Sequence, residues 1–224
     1  MTAARIAALT ATTAPRVAYQ GEPGAYGEVA IARGWAGQAN AMGTATFADA
    51  FALLGRGETD YAAIPVWNST IGDIHDTTLL LGHHAARIEV SFEVTIPIEH
   101  CLLALPGATL AGVRYVGSHP TALAQCKRLF LTRRHLQPCV AHDTAGAARE
   151  LATLGGSVPA GLVPRAAPPW FDPYRPTDPH ALAVIAGAAV ARTYGLVVLA
   201  ESVQDNPGNA TRFVIIKPQD GVRW

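Results

Sequence analysis

Short runs rich in Val, Ile and Tyr alternate with Ala/Leu segments of helical period, and this alternation constrains the fold more than any other feature of the chain. A period of two that gives way repeatedly to one of 3.6 defines an α/β protein with strands and helices interleaved. The strands predicted are Val17–Gln20, Tyr61–Val66, Val90–Ile98, Cys101–Leu105, Val113–Val116, Ala183–Ile185 and Arg212–Ile216. Residues Phe47–Leu54 read as a core helix with Phe47, Phe51 and Leu54 on one face and Gly55 as its stop. Pro120–Leu131 reads as a helix with proline at its first position after Ser118, and Thr144–Leu154 as one with a Thr cap, ending at Gly155-Gly156. Residues 158–179 break the rhythm: seven prolines with Trp170, Phe171 and Tyr174 forbid a helix or a paired strand, so a Pro-rich inserted loop or flap is expected there. No internal repeat is visible.

With 224 residues, half of them hydrophobic, the chain can bury one substantial core or two smaller ones. Seventeen basic and seventeen acidic residues cancel, which argues against a nucleic-acid partner. No apolar run approaches the ~20 residues a spanning helix needs, so no membrane partner is expected. Residues 1–15 contain no secretory core and read as a flexible N-terminus of a cytoplasmic protein. Cys101, Cys126 and Cys139 form no Cys-x-x-Cys pair and sit in apolar surroundings, so neither a disulfide framework nor a zinc site is indicated.

Four segments could carry chemistry. Gly21–Glu28 is a glycine-rich turn from a strand into a helix, able to aim backbone N–H groups of Gly24, Ala25 and Tyr26 at an anion; its spacing fits neither a dinucleotide nor a triphosphate loop. Trp67-Asn68-Ser69-Thr70 follows a second strand and meets a helix start, and Ser118-His119-Pro120 does the same after a third. Each is also what an ordinary N-cap looks like. The fourth, Gln204 to Phe213, is a polar turn feeding a last strand, in which Arg212 either clamps a carboxylate or makes a surface ion pair. Ligands of open α/β sheets bind beyond the carboxyl ends of strands, so these ends together suit a small carboxylate.

In the same order along the chain stand Ala18–Tyr26, Asp60-Tyr61 to Ile64-Pro65 with Asn68-Ser69, His100–Ala104, Ser118-His119-Pro120 with Ala122–Cys126, Tyr194-Gly195-Leu196, and Gln204–Pro207 with Thr211-Arg212-Phe213. Through these pieces the stretch from Val17 to Lys217 resembles the catalytic domain of the prephenate dehydratase family, including the arogenate dehydratases. The resemblance implies two α/β lobes like those of type 2 periplasmic binding proteins, residues 16–97 plus 204–224 and residues 98–203, with an active-site cleft between them. It also implies a homodimer or homotetramer, no metal or organic cofactor, and, since the sequence stops at Trp224, a catalytic domain without the phenylalanine-binding ACT domain.

The implied reaction turns prephenate, a dicarboxylate, into phenylpyruvate, losing CO2 and the ring hydroxyl. Thr211 then assists the departing hydroxyl, Arg212 and helix N-termini hold carboxylates, and Phe213 packs against the ring or in the core. A threonine alone is a poor acid, which makes His100 and His119 the candidate titrating partners. Three departures fall in these segments: Trp67 stands where the family carries a carboxylate, Gly27 where it carries Ser or Thr, and Gly72-Asp73-Ile74 where Gly-Ser-Val is common, with Asp73 able to restore the lost acid. They keep open a divergent paralogue, such as a decarboxylase that leaves the ring non-aromatic, and a non-catalytic carboxylate-binding protein.

Overall fold

The computed structural model describes residues 13–155, 178–221 and 224. The Pro-rich segment thus lies, all but its last two residues, outside the described residues, as does most of the N-terminus. The described chain divides into two compact units. Unit one holds the residues up to Glu22, Tyr26–Pro97 and Gly208–Trp224; unit two holds Pro23–Ala25 and Ile98–Pro207.

Unit one runs β1 (Arg16–Gln20), α1 (Tyr26–Gly34), β2 (Asn40–Thr44), α2 (Phe47–Gly55), β3 (Tyr61–Asn68), β4 (Gly72–Asp73), α3 (His75–His84) and β5 (Ile88–Pro97). Unit two runs β6 (His100–Ala104), β7 (Tyr115–Ser118), α4 (Pro120–Ala124), α5 (Lys127–Thr132), β8 (Gln137–Val140), α6 (Thr144–Leu154), a 3₁₀ turn (Pro179–Ala181), β9 (Leu182–Gly187), α7 (Ala188–Tyr194) and β10 (Val197–Ala200). The last strand, β11 (Ala210–Pro218), belongs to unit one.

The strand order in unit one is β2-β1-β3-β11-β5, with β4 as a short hairpin partner of β3. Strands β1, β2 and β3 are parallel, and β11 runs against both β3 and β5. Unit two has the order β8-β7-β9-β6-β10, with β7, β8 and β9 parallel and β6 running against both β9 and β10. The two sheets therefore repeat one topology, although the sequence shows no repeat. Each places its reversed strand next to the centre, and each reversed strand comes from a distant stretch of chain.

Central strands have two covered faces and read as apolar runs, and all six residues of β9 are buried. One face of the unit-two sheet packs Leu103, Val184, Leu151 and Tyr194; the other packs Leu102, Val116, Leu129 and Ile185. In unit one, Phe51 and Leu54 of α2 pack with Ile64, Val214 and Ile216. The three cysteines are free and buried, and burial raises their thiols, Cys126 to about 12, so they remain protonated apolar filling.

Three local readings are corrected. Helix α2 begins in a capping box, with Thr46 and Asp49 exchanging side-chain and backbone hydrogen bonds, but Gly55 is not its left-handed stop; Gly57 takes the positive φ of 69°. The cap of α6 is Asp143, which accepts from Gly146 N–H, and Thr144 is the first helical residue. The single helix expected over Pro120–Leu131 is two, because Asp205 donates its N–H to Gln125 O (2.7 Å) while its carboxylate accepts from Lys127 and Arg128 N–H (2.9 Å each). A residue remote in sequence thus ends one helix and caps the next.

Candidate active site

The carboxyl ends of β1, β2 and β3 and the amino end of β11 lie at one edge of the unit-one sheet, as the parallel and antiparallel registers require. Asn68 closes β3 there and organises the edge. Its two amide protons are shared among Thr211 Oγ1 (2.9 Å), Asn209 Oδ1 (2.9 Å) and Ala210 O (3.1 Å), and its oxygen accepts from Thr70 N–H (2.9 Å) and Ile71 N–H (3.3 Å). Thr70 Oγ1 adds a bond to Asn209 Oδ1. Thr211 therefore accepts through its hydroxyl oxygen and keeps its own O–H proton to give. Asn68, Asn209 and Thr211 are all buried, which makes the geometry rigid and the loss of any partner costly.

Ser69 is engaged in the backbone: its Oγ accepts from Ala210 N–H (2.9 Å) and donates to Gly208 O (3.3 Å). The turn after Asn68 does not start a helix, as the sequence suggested. It closes the β3–β4 hairpin, and α3 begins at His75 behind an N-cap, Ile74, with no side-chain bond.

Alternation along β11 separates its three motif residues. Thr211 and Phe213 share a face with Ile96, Val94 and Phe92, the face on which Gly34 of α1 lies against Phe92 and Val94. Phe213 is buried in that layer. Arg212 turns to the other face beside its cross-strand neighbour Trp67 and stays largely exposed, 3.9 Å from Glu93. Trp67 in turn pairs directly with Asp73 on β4. The large aromatic, the arginine and the acid that the sequence singled out are thus neighbours, on the face opposite Thr211. Gly27 is buried inside α1 with Tyr19 so close that a Cβ would sit 3.0 Å from that side chain, so its lack of a hydroxyl reflects packing.

The corresponding edge of unit two carries the amino end of β6 and the carboxyl ends of β7 and β9, since His100 pairs with Gly187 and Gly117 with Val184. His100 is buried: its Nε2 meets Gln125 Oε1 at 3.0 Å and its N–H donates to Gln204 Oε1 at 2.9 Å. Burial pushes its pKa down against the opposing pull of Gln125, so the ring is neutral at pH 7, with Nε2 carrying the proton. Ser118 is not a helix cap: it is fully buried and its hydroxyl donates to Ile185 O at 2.7 Å. His119 takes that place, its Nδ1 accepting from Thr121 N–H at 3.2 Å. Desolvation lowers its pKa, Asp143 raises it and His142 lowers it.

The glycine-rich turn splits between the units. Gly24, at φ +87°, lies so close to α7 that a Cβ would meet the Val190 backbone at 3.0 Å, and Ala25 packs on the unit-two core. Tyr26 is the first residue of α1 in unit one. Gln125, Gln204, Asn209 and Thr70 fall inside the segments that the sequence singled out but not among its candidate site residues; the first two hold His100 directly, and the last two hold Asn68, which holds Thr211. Neutral amides and hydroxyls carry no spacing signal, so only their contacts reveal them. Among the described residues no three His, Cys, Asp or Glu side chains gather as a metal site would.

Two sheets of one topology, each with a polar cluster where a reversed strand meets parallel strand ends, define an α/β protein with a candidate small-molecule site at its strand ends. The sequence model of the family described as prephenate dehydratase matches residues 17–221, and the chain belongs to that family. It is 38% identical over 203 residues to arogenate dehydratase 1 of Petunia hybrida and 37% identical over 203 residues to arogenate dehydratase/prephenate dehydratase 6 of Arabidopsis thaliana, covering 90% of this chain in each case. It spans 42% and 43% of those proteins, roughly two fifths of their length. Among solved structures, a protein described as GqqA, a novel type of quorum quenching acylase, superposes with a TM-score of 0.72 at 30% identity, over 92% of this chain and 65% of that one. The prephenate dehydratase of Arthrobacter aurescens in complex with L-Phe gives 0.70 at 25% identity, over 93% and 62%.

Proposed function

We propose that the protein catalyses the decarboxylating dehydration of prephenate to phenylpyruvate, as a hydro-lyase without metal or organic cofactor. The observation that carries this reading is the Thr211 hydroxyl, held as an acceptor by Asn68 at the strand-end edge and left with its own proton to give. The prephenate dianion takes up one proton and yields phenylpyruvate, CO2 and water, so the departing ring hydroxyl must be protonated as its bond to carbon breaks. Thr211 is suited to donate a hydrogen bond to that oxygen. Its own pKa is far too high to make it the final acid, so it relays a proton that solvent or a titrating neighbour replaces. The first turn of α1, starting at Tyr26, offers backbone donors for a substrate carboxylate at the same edge of unit one, whereas Arg212, the residue the sequence suggested for that task, faces away from Thr211 and pairs with Glu93. The family resemblance adds a homodimer or homotetramer to this reading, which sedimentation of the purified chain tests.

The experiment is proton NMR of the protein with prephenate at neutral pH, beside a no-protein control, because prephenate aromatises spontaneously in acid. Phenylpyruvate is expected, with the rate cut about 10²–10⁴-fold in Thr211→Val, the range that a positioned proton donor supplies. Unchanged prephenate, a non-aromatic product, or an undiminished rate in Thr211→Val would each overturn the reading. A parallel reaction with arogenate compares the two substrates by rate.

A further inference from the structure

Unit two contains a cleft of about 230 Å³ between α5 and the segment that leaves β10, lined by Arg128, Arg133, Glu201 and Ser202 with Leu129 and Val203 as apolar lining. Arg128 and Arg133 bring two positive charges to this cleft, and neither takes part in an ion pair among the described residues. The acid in the same cleft, Glu201, pairs with neither arginine, so both guanidinium groups remain available to a ligand. Ser202 has φ +51°, a left-handed conformation that a residue with a side chain adopts at a cost and that clusters at ligand sites. It is held there by the next residue, whose N–H donates to His100 O at 2.8 Å.

We infer that this cleft binds a small organic carboxylate with an apolar body, distinct from the substrate edge. Arg128 and Arg133 take the carboxylate, Leu129 and Val203 receive the apolar part, and Glu201 admits an ammonium on the same molecule. Guanidinium groups recognise carboxylates bidentately, and the apolar lining disfavours a bare inorganic anion. The loop that closes the cleft continues into Gln204 and Asp205, which hold His100 and cap α5, so the site adjoins the framework of the unit-two edge.

The test is an ¹⁵N–¹H NMR titration of the full chain with isovalerate and with L-leucine, against 3-methylbutan-1-ol, a neutral molecule of similar shape. Saturable shifts confined to residues 128–133 and 200–203 are expected with either carboxylate and not with the alcohol, and tighter binding of leucine would assign the ammonium to Glu201. Arg128→Gln/Arg133→Gln should weaken binding at least about tenfold, while an unchanged spectrum elsewhere verifies the fold. Non-saturating shifts, equal shifts with the alcohol, or binding untouched by the double substitution would overturn the inference. Because the readout is binding at named residues, its outcome is independent of whether prephenate is turned over.

Discussion

At the scale of the residue, the decisive group is Asn68, because one amide sets the position of the Thr211 hydroxyl and satisfies Asn209 as well. Asn68→Asp keeps the shape, removes the donor and places two acceptors face to face. The expected outcome is kcat lowered about 10²-fold, the low end of what proton donation contributes, with KM within a few-fold of the wild type. A variant that instead raised KM at constant kcat would show Asn68 to be a binding group only. Trp67→Glu probes the other face. It returns the carboxylate that the resemblance places at this position, beside Arg212 and on the face opposite Thr211. Steady-state kinetics should therefore show kcat and KM both within a few-fold of the wild type, and an about tenfold or larger change in kcat/KM would show that the substrate meets this face as well.

At the scale of the element, stability depends on contacts that join segments distant in sequence. Asp205 caps α5 through two N–H bonds at 2.9 Å, so Asp205→Ala should cost about 1–2 kcal/mol in urea denaturation, the upper range for a lost cap, and fray α5. An unchanged midpoint would show the capping bonds to be replaced by water at no cost. The same contact explains why the break at Gln125-Cys126 was illegible: Pro120–Leu131 has good helical period, and what interrupts it lies some eighty residues on. Strands β1, β3, β6, β9 and β11 were legible because central strands with both faces covered need apolar runs. Strands β2, β8 and β10 were not: β2 and β8 are edge strands with polar or small residues and Pro138, and β10 is a short edge strand next to β6. The motif residues Thr211, Arg212 and Asn68 were legible as types, but alternation along β11, which sends Arg212 away from Thr211, emerged only with the register.

At the scale of the whole molecule, the two sheets share a strand order that no sequence repeat betrays, since topology survives while every side chain differs. Where unit one starts its reversed strand near Thr211, unit two starts its own at His100. The buried clusters at both edges are built from neutral groups, and buried imidazoles shape how the protein responds to acid. His100 and His84 are held below the ordinary imidazole value chiefly by burial, His84 also by His83 and Arg87, and stacked between Phe51 and Trp224; His119 is lowered by desolvation as well. Each is neutral in the folded state at a pH where the unfolded chain already takes up a proton. Their contribution is therefore complete above the unfolded value near 6.5 and is lost as pH falls through the folded value. Urea midpoints should drop between pH 7.5 and pH 5, and His100→Gln, which cannot titrate, should make that drop smaller even if it lowers stability at pH 7.5. Equal midpoints at the two pH values, or a drop as steep in the variant, would show that the buried histidine takes no part in the acid response.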